Sequence, residues 1–271
     1  MKQVLKNSFF MLIFLIIIIA DFCYAQVRSE SLRSEILGED RPLYVRLPDK
    51  YENVTDRYPV LIVLDGNLLM HSAVNSPTFN SIIHSLVRSG EIPDLIVIGI
   101  LNTDRRRDFT PTKIKRHRSG GGADKFIKFL KEELIPYVEN TYRTGGKKIL
   151  FGHSLGGLLT TYTFLTVPET FDAYIASSPS FTWDDRIIFK TAENTFQKPF
   201  LIKKTFLFYV GSNDMQDYPE ASQRFAEMLE QKAPQKLKWE FKLYENEDHM
   251  TMPPISFKNG LSKIFSEWKG K

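Results

Sequence analysis

Gly152-His153-Ser154-Leu155-Gly156 stands directly after the apolar run Lys148-Ile149-Leu150-Phe151 and directly before a helical pattern running from Leu155 to Val167. No other stretch constrains the fold as tightly. A buried strand passing into a helix through a G-x-S-x-G pentapeptide makes a sharp turn that raises the serine hydroxyl above the strand end. Glycine is expected on either side of the serine, because the backbone passes close to its neighbours and a Cβ would clash. The N–H of Leu155, at the helix N-terminus, then points to where an anionic oxygen beside Ser154 Oγ would form. A turn with no chemistry is the plain alternative for a bare pentapeptide; the flanking strand and helix favour a nucleophile.

The rest of the chain repeats the rhythm of that segment. Pro59 to Leu64, Leu95 to Ile100 and Thr205 to Val210 are continuous apolar runs, the pattern of parallel strands buried on both faces. Trp239 to Tyr244 alternates Phe241 and Leu243 with Glu240 and Lys242, which suits an edge strand. Amphipathic helices are read over Ala123 to Val138, Pro219 to Gln231 and Ile255 to Lys269; Pro136 should kink the last turn of the first, and Pro253-Pro254 should mark the start of the last. Ser29 to Leu37 and Leu43 to Leu47 read as an antiparallel hairpin. Strands alternating with helices predict an α/β domain over residues 26–271, with a mostly parallel sheet covered on both faces.

A serine needs a positioned base, and in this arrangement an acid and then a histidine follow it in the chain. His249, in Glu245-Asn246-Glu247-Asp248-His249, is the sole histidine after Ser154, and it follows a strand. Asp214, in Gly211-Ser212-Asn213-Asp214, comes straight after the run ending at Val210, where a carboxylate can reach the histidine and fix its tautomer. Asp217 and Glu220 are nearby alternatives, and an Asx turn or helix cap is the ordinary use of such an Asp. A second oxyanion donor is expected after an early strand, where Leu64-Asp65-Gly66-Asn67 offers the amide of Asn67.

The first residues are set aside from the fold. Lys2 and Lys6 precede an apolar run from Phe9 to Ala20, and Cys23-Tyr24-Ala25 offers small residues where a signal peptidase reads, so residues 1–25 are read as a secretory signal peptide. The run is short for a span, which normally takes about 20 apolar residues. Ala20-Asp21-Phe22-Cys23 lacks the small residues of a lipidation motif. Cleavage after Ala25 removes the one cysteine, and with it disulfides, thiol chemistry and a Cys-based metal site. The net charge of +4 implies no nucleic-acid partner.

Together these residues resemble the putative esterase family of α/β hydrolases, the group with siderophore esterases, feruloyl esterases, S-formylglutathione hydrolase and mycolyltransferases. The likeness rests on Val45-Arg46-Leu47-Pro48, on Pro59 to Gly66, on the pentapeptide at 152–156, on Ser178-Pro179-Ser180 after the following strand, on Gly211 to Asp214 and on Glu245 to His249. It implies the α/β-hydrolase fold, Ser154 as nucleophile, His249 as base, an acid at or near Asp214, and an oxyanion hole from the amides of Asn67 and Leu155. It calls for no metal or organic cofactor. The implied substrate is a small-molecule or glycan ester, with no stable membrane insertion once the signal is cleaved. An acyltransferase or peptidase with the same triad, or a secreted binding protein, are the rival readings. Asn102 to Thr112 is similar to a stretch near the site in secreted members. Three consecutive arginines there are usually a solvated face; the sharper expectation is that Arg107 meets an acidic or catecholate substrate. Trp183 is expected as a pocket wall or a core residue.

Overall fold

A computed structural model describes residues 27–71, 76–197 and 203–270; residues 1–25, read above as a signal peptide, lie outside the described residues. The apolar runs form one eight-stranded sheet in the order β1-β2-β4-β3-β5-β6-β7-β8. The strands are β1 (Val27–Ser34), β2 (Glu39–Arg46), β3 (Tyr58–Leu64), β4 (Ile96–Ile100), β5 (Thr144–His153), β6 (Ala173–Ser177), β7 (Thr205–Gly211) and β8 (Lys238–Tyr244). β1 pairs antiparallel with β2, and β2 antiparallel with β4, while every pairing from β4 through β8 is parallel. The hairpin read at the start of the chain is therefore the first two strands. β8 is an edge strand and only partly buried, but its exposure does not alternate as expected: Leu243 is exposed, whereas Glu240 and Phe241 are both half-buried.

The helices are α1 (Phe79–Arg88), α2 (Arg105–Phe109), α3 (Ala123–Phe129), α4 (Ile135–Thr141), α5 (Leu155–Thr166), α6 (Trp183–Phe196), α7 (Tyr218–Lys232) and α8 (Met252–Lys269). Successive strand side chains point to opposite faces, so each central strand feeds two cores. Leu61, Val63, Ile149, Phe151 and Ile175 meet α1 and α8 on one face. Ile62, Leu64, Leu150, Ala176 and Phe208 meet α3, α5 and α7 on the other. Phe151 sits edge-on, 5.1 Å from the rings of Phe79 on α1 and Phe257 on α8, and those two stack on each other at 3.8 Å.

Three local expectations need correction. The segment read as one helix over 123–138 is broken by a π turn at Leu130–Leu134, one turn ahead of Pro136. The wide turn precedes the ring, which then lies in the first turn of α4, where a missing N–H costs least. α8 starts at Met252, so the two prolines occupy its first turn rather than preceding it. Finally, the glycines around Ser154 are not equivalent. A Cβ on Gly152 would fall inside the backbone of Gly156, whereas one on Gly156 would make ordinary contacts at 3.4 Å or more; the tighter position in the helix is Gly157, at 3.0 Å from Pro179 and Ser177.

Candidate active site

The turn between β5 and α5 holds Ser154 at φ 59°, ψ −118°. Positive φ costs a non-glycine residue about 1–3 kcal/mol and persists only where the surroundings dictate it. Here they do: Ser154 N–H donates to Ser177 O at 2.9 Å, and Ser154 O accepts from Leu158 N–H at 2.9 Å and Ser180 N–H at 3.1 Å. Its hydroxyl lies 3.4 Å from Ser180 Oγ, which accepts a hydrogen bond from Tyr218 OH at 2.8 Å.

His249 and Asp214 come together at the ends of β8 and β7. His249 Nδ1 lies 2.7 Å from Asp214 Oδ1, and the Asp214 side chain is fully buried. Burial works against ionising that carboxyl. Hydrogen bonds from His249, from Ser178 Oγ at 2.5 Å and from the Met215 amide at 2.6 Å outweigh it, and Asp214 is held below the ordinary carboxylate range. With Nδ1–H donated to a carboxylate, a neutral His249 ring carries its free lone pair on Nε2. The loop bearing His249 is pinned on both sides. Asn213 N–H donates to Glu247 O at 2.9 Å, and Asp248 Oδ1 accepts from the amides of Met250 and Thr251. His153 adds a third tie: its Nε2 is 2.9 Å from His249 O, and the two rings lie 4.4 Å apart. The alternative acids lie elsewhere. Asp217 stands exposed at the N-cap position of α7 with φ 69°, its carboxylate making no cap bond, and Glu220 pairs with Arg186 and Arg224 at 3.5 and 3.6 Å.

Asn67 belongs to a 3-10 turn, Gly66–Leu69, entered through Asp65 in the left-handed region at φ 56°. The first bond of that turn runs from Leu68 N–H to Asp65 O, so the amide of Asn67 precedes the hydrogen-bonded part, as the amide of Leu155 does at the start of α5. Gly66 packs so closely on the backbone of Gly99 that a Cβ there would clash. The Asp65 carboxylate takes Arg105 Nε at 2.6 Å and Nη2 at 2.9 Å, together with Asn102 Nδ2 at 2.5 Å.

In the arginine run, the structure places Arg107 in an ion cluster: Nη1 and Nη2 bind Glu39 at 3.1 and 2.6 Å, and Nε binds Asp108 at 2.7 Å. Asp108 is its neighbour in the chain, but Glu39 is 68 residues away, so that pairing has no local signal. Those bonds raise the Arg107 pKa and hold Glu39 at about 2. Trp183 is half-buried at the start of α6; its Nε1 donates to Thr112 O at 3.2 Å and its ring stacks on His117 at 5.4 Å, so it braces the loop after α2. Sequence reasoning missed the polar shell: Ser178 on Asp214, Ser180 and Tyr218 beside Ser154, His153 behind His249, and Arg105 on Asp65. Two signals for it are visible in the sequence, Ser178-Pro179-Ser180 as a motif without a role and Asn102 to Thr112, which contains Arg105.

A family model described as “Putative esterase” matches residues 34–252. The chain is 35% identical over 165 residues to the ferri-bacillibactin esterase BesA of Bacillus subtilis, a match covering 55% of this chain and 52%, about half, of that relative. It is 28% identical over 243 residues to a siderophore triacetylfusarinine C esterase of Aspergillus fumigatus, covering 78% of this chain and 82% of that protein. Among solved structures, an IroE-like serine hydrolase from Shewanella oneidensis superposes with a TM-score of 0.80 at 27% identity, over 90% of this chain and 81% of that one.

Proposed function

Since this chain belongs to the putative esterase family, we propose that it is a serine hydrolase of carboxylic esters, working through Ser154, His249 and Asp214 by way of an acyl-enzyme. The observation that carries this reading is the conjunction of a serine at φ 59° on a strand-to-helix elbow with the 2.7 Å contact between His249 and Asp214. His249 Nε2 takes the Ser154 proton as Oγ attacks the ester carbonyl, and the amides of Leu155 and Asn67 hold the tetrahedral oxyanion. The imidazolium returns its proton to the leaving alkoxide. Water, deprotonated by the same ring, then releases the acid.

The names of the relatives direct the choice of substrate to an ester-linked siderophore. Secretion or periplasmic export follows in this reading from the pattern of Lys2 to Ala25. The test is to purify the protein and its Ser154→Ala variant and to follow siderophore lactones, feruloyl esters and acetyl sugars by product analysis, with and without an added alcohol acceptor. Turnover of the siderophore esters to free acid, lost in Ser154→Ala, is the expected result. No turnover of any ester, together with no labelling of Ser154 by a fluorophosphonate, would sink the proposal.

A further inference from the structure

Arg105 is the first residue of α2, on the loop that leaves β4, and it reaches both sides of the site. Nε–H and one Nη2–H grip the two oxygens of Asp65, at 2.6 and 2.9 Å, and Nη2 also donates to His153 O at 3.0 Å. Asn102 Nδ2 closes the cluster on Asp65 Oδ1, and Phe109 lies under the guanidinium with its ring centre 5.5 Å from Cζ. The two groups held are separate in the chain but equivalent in position. Asp65 stands two residues before the amide of Asn67, and His153 stands two residues before the amide of Leu155.

Asp65 is the weaker side if left alone. It is a non-glycine residue at φ 56°, ψ 55°, and its carboxylate makes no cap bond to its own turn. The conformation that aims Asn67 therefore depends on the external grip of Arg105 and Asn102. The elbow side adds a packing contact, since Asp65 Oδ2 lies against the Cα of Gly156, near enough that a Cβ there would sit 3.4 Å from it.

We infer that Arg105 is a positioning residue that holds the two amide donors of the oxyanion hole in register, acting through Asp65 and the His153 carbonyl. The inference rests on the reading of Ser154 as nucleophile. A planar fork suits this task, because Nε and Nη2 address three acceptors from one rigid group, whereas a lysine ammonium is a single point on a flexible stem. An error of about 1 Å in such a constellation costs roughly 10²-fold in rate, and loss of one oxyanion donor costs about 10²–10³-fold in kcat.

The test uses Arg105→Gln, Arg105→Lys and Asp65→Asn beside the wild type, with kcat and KM for an activated ester and the inhibition constant of a boronic acid that forms a tetrahedral adduct on Ser154. All three variants should lose about 10- to 10²-fold in kcat with KM little changed, and the boronate should weaken in proportion to kcat/KM. Arg105→Lys should recover little of the loss. A residue that merely stabilised the fold would lower the melting temperature and leave kcat per folded molecule and the boronate constant unmoved. Folded Arg105→Gln with kcat and boronate binding near wild type, or with its whole loss in KM, overturns the inference. If Arg105→Gln does not fold, the near-isosteric Asp65→Asn is read by the same two outcomes. Failure of this inference alone leaves Ser154-dependent turnover intact in the wild type, while a wild type without it defeats the nucleophile reading and this inference together.

Discussion

A histidine can serve as base only if the right nitrogen is left bare, and Asp214 decides that for His249. Replacing it by Asn keeps the shape but lets the amide donate to Nδ1, which puts the proton on Nε2. Asp214→Asn should therefore lower kcat by about 10⁴-fold with the fold intact, whereas Asp217→Asn and Glu220→Gln should stay near wild type. Inactivation by Asp217→Asn in place of Asp214→Asn, measured by steady-state kinetics, would reassign the acid. His153 makes a prediction of a different kind. Burial and the neighbouring His249 lower its pKa from 6.5 to about 3. The unfolded chain then binds a proton that the folded chain refuses, so this residue's stabilising contribution is complete above about 6.5 and drains away as pH falls toward 3. His153→Gln preserves a donor for His249 O and does not titrate. Its unfolding free energy, from urea titrations at a series of pH values, should fall less steeply across that window; identical slopes would show that His153 is charged in the folded state.

At the scale of elements, the site depends on how closely loops lie on strand ends. A Cβ on Gly211, the last residue of β7, would fall inside the carbonyl group of Glu247, two residues before His249. Gly211→Ala should lift that loop and cost roughly 10²-fold in kcat, with far-UV dichroism unchanged; wild-type activity would mean that the loop shifts without carrying the ring. That contact also marks the limit of what the sequence made legible. Most parallel strands are legible because each is a continuous apolar run; Ser154 and Asp214 stand out as candidates because each follows such a run, and His249 because it follows the alternating edge strand β8. β6, Ala173-Tyr174-Ile175-Ala176-Ser177, is legible only as the strand before Ser178-Pro179-Ser180, and α6 opens with Asp184, Asp185 and Arg186 all in the left-handed region, which no helical periodicity announces. For α2 the sequence offers a solvated arginine face or a substrate contact at Arg107, and no ion pairing. Two of its arginines are spoken for by acids 40 and 68 residues away, a pairing that only the assembled sheet creates.

Across the whole molecule, that pairing joins the antiparallel hairpin to the loop that borders the site. Arg41 on β2, wholly buried, lies between Glu39 at 2.5 Å and Asp108 at 2.9 Å, and Arg107 spans the same two acids from the other side. The rings of Phe126 and Phe129 on α3 lie 5.3 and 6.0 Å from the Arg41 guanidinium carbon, so water has little access to screen it. Two cations and two anions balance, which makes the cluster tolerable in the interior but vulnerable to loss of one member. Asp108→Asn should cost about 3–5 kcal/mol, because it leaves two guanidinium groups, that of Arg41 wholly buried, to share the one carboxylate of Glu39. Glu39→Gln should cost less at neutral pH, since Glu39 is partly exposed, but it has its own signature in acid. Arg107 holds the Glu39 pKa at about 2 against an ordinary 4.5, so its contribution is complete above 4.5 and is lost as pH falls through about 2. Urea unfolding of wild type and Glu39→Gln should thus converge as pH drops through that interval, with Asp108→Asn lying below both at neutral pH. Parallel curves for wild type and Glu39→Gln, or an Asp108→Asn variant as stable as wild type, would show that the hairpin is held by its apolar contacts and that the ion cluster only sets which way Arg107 points.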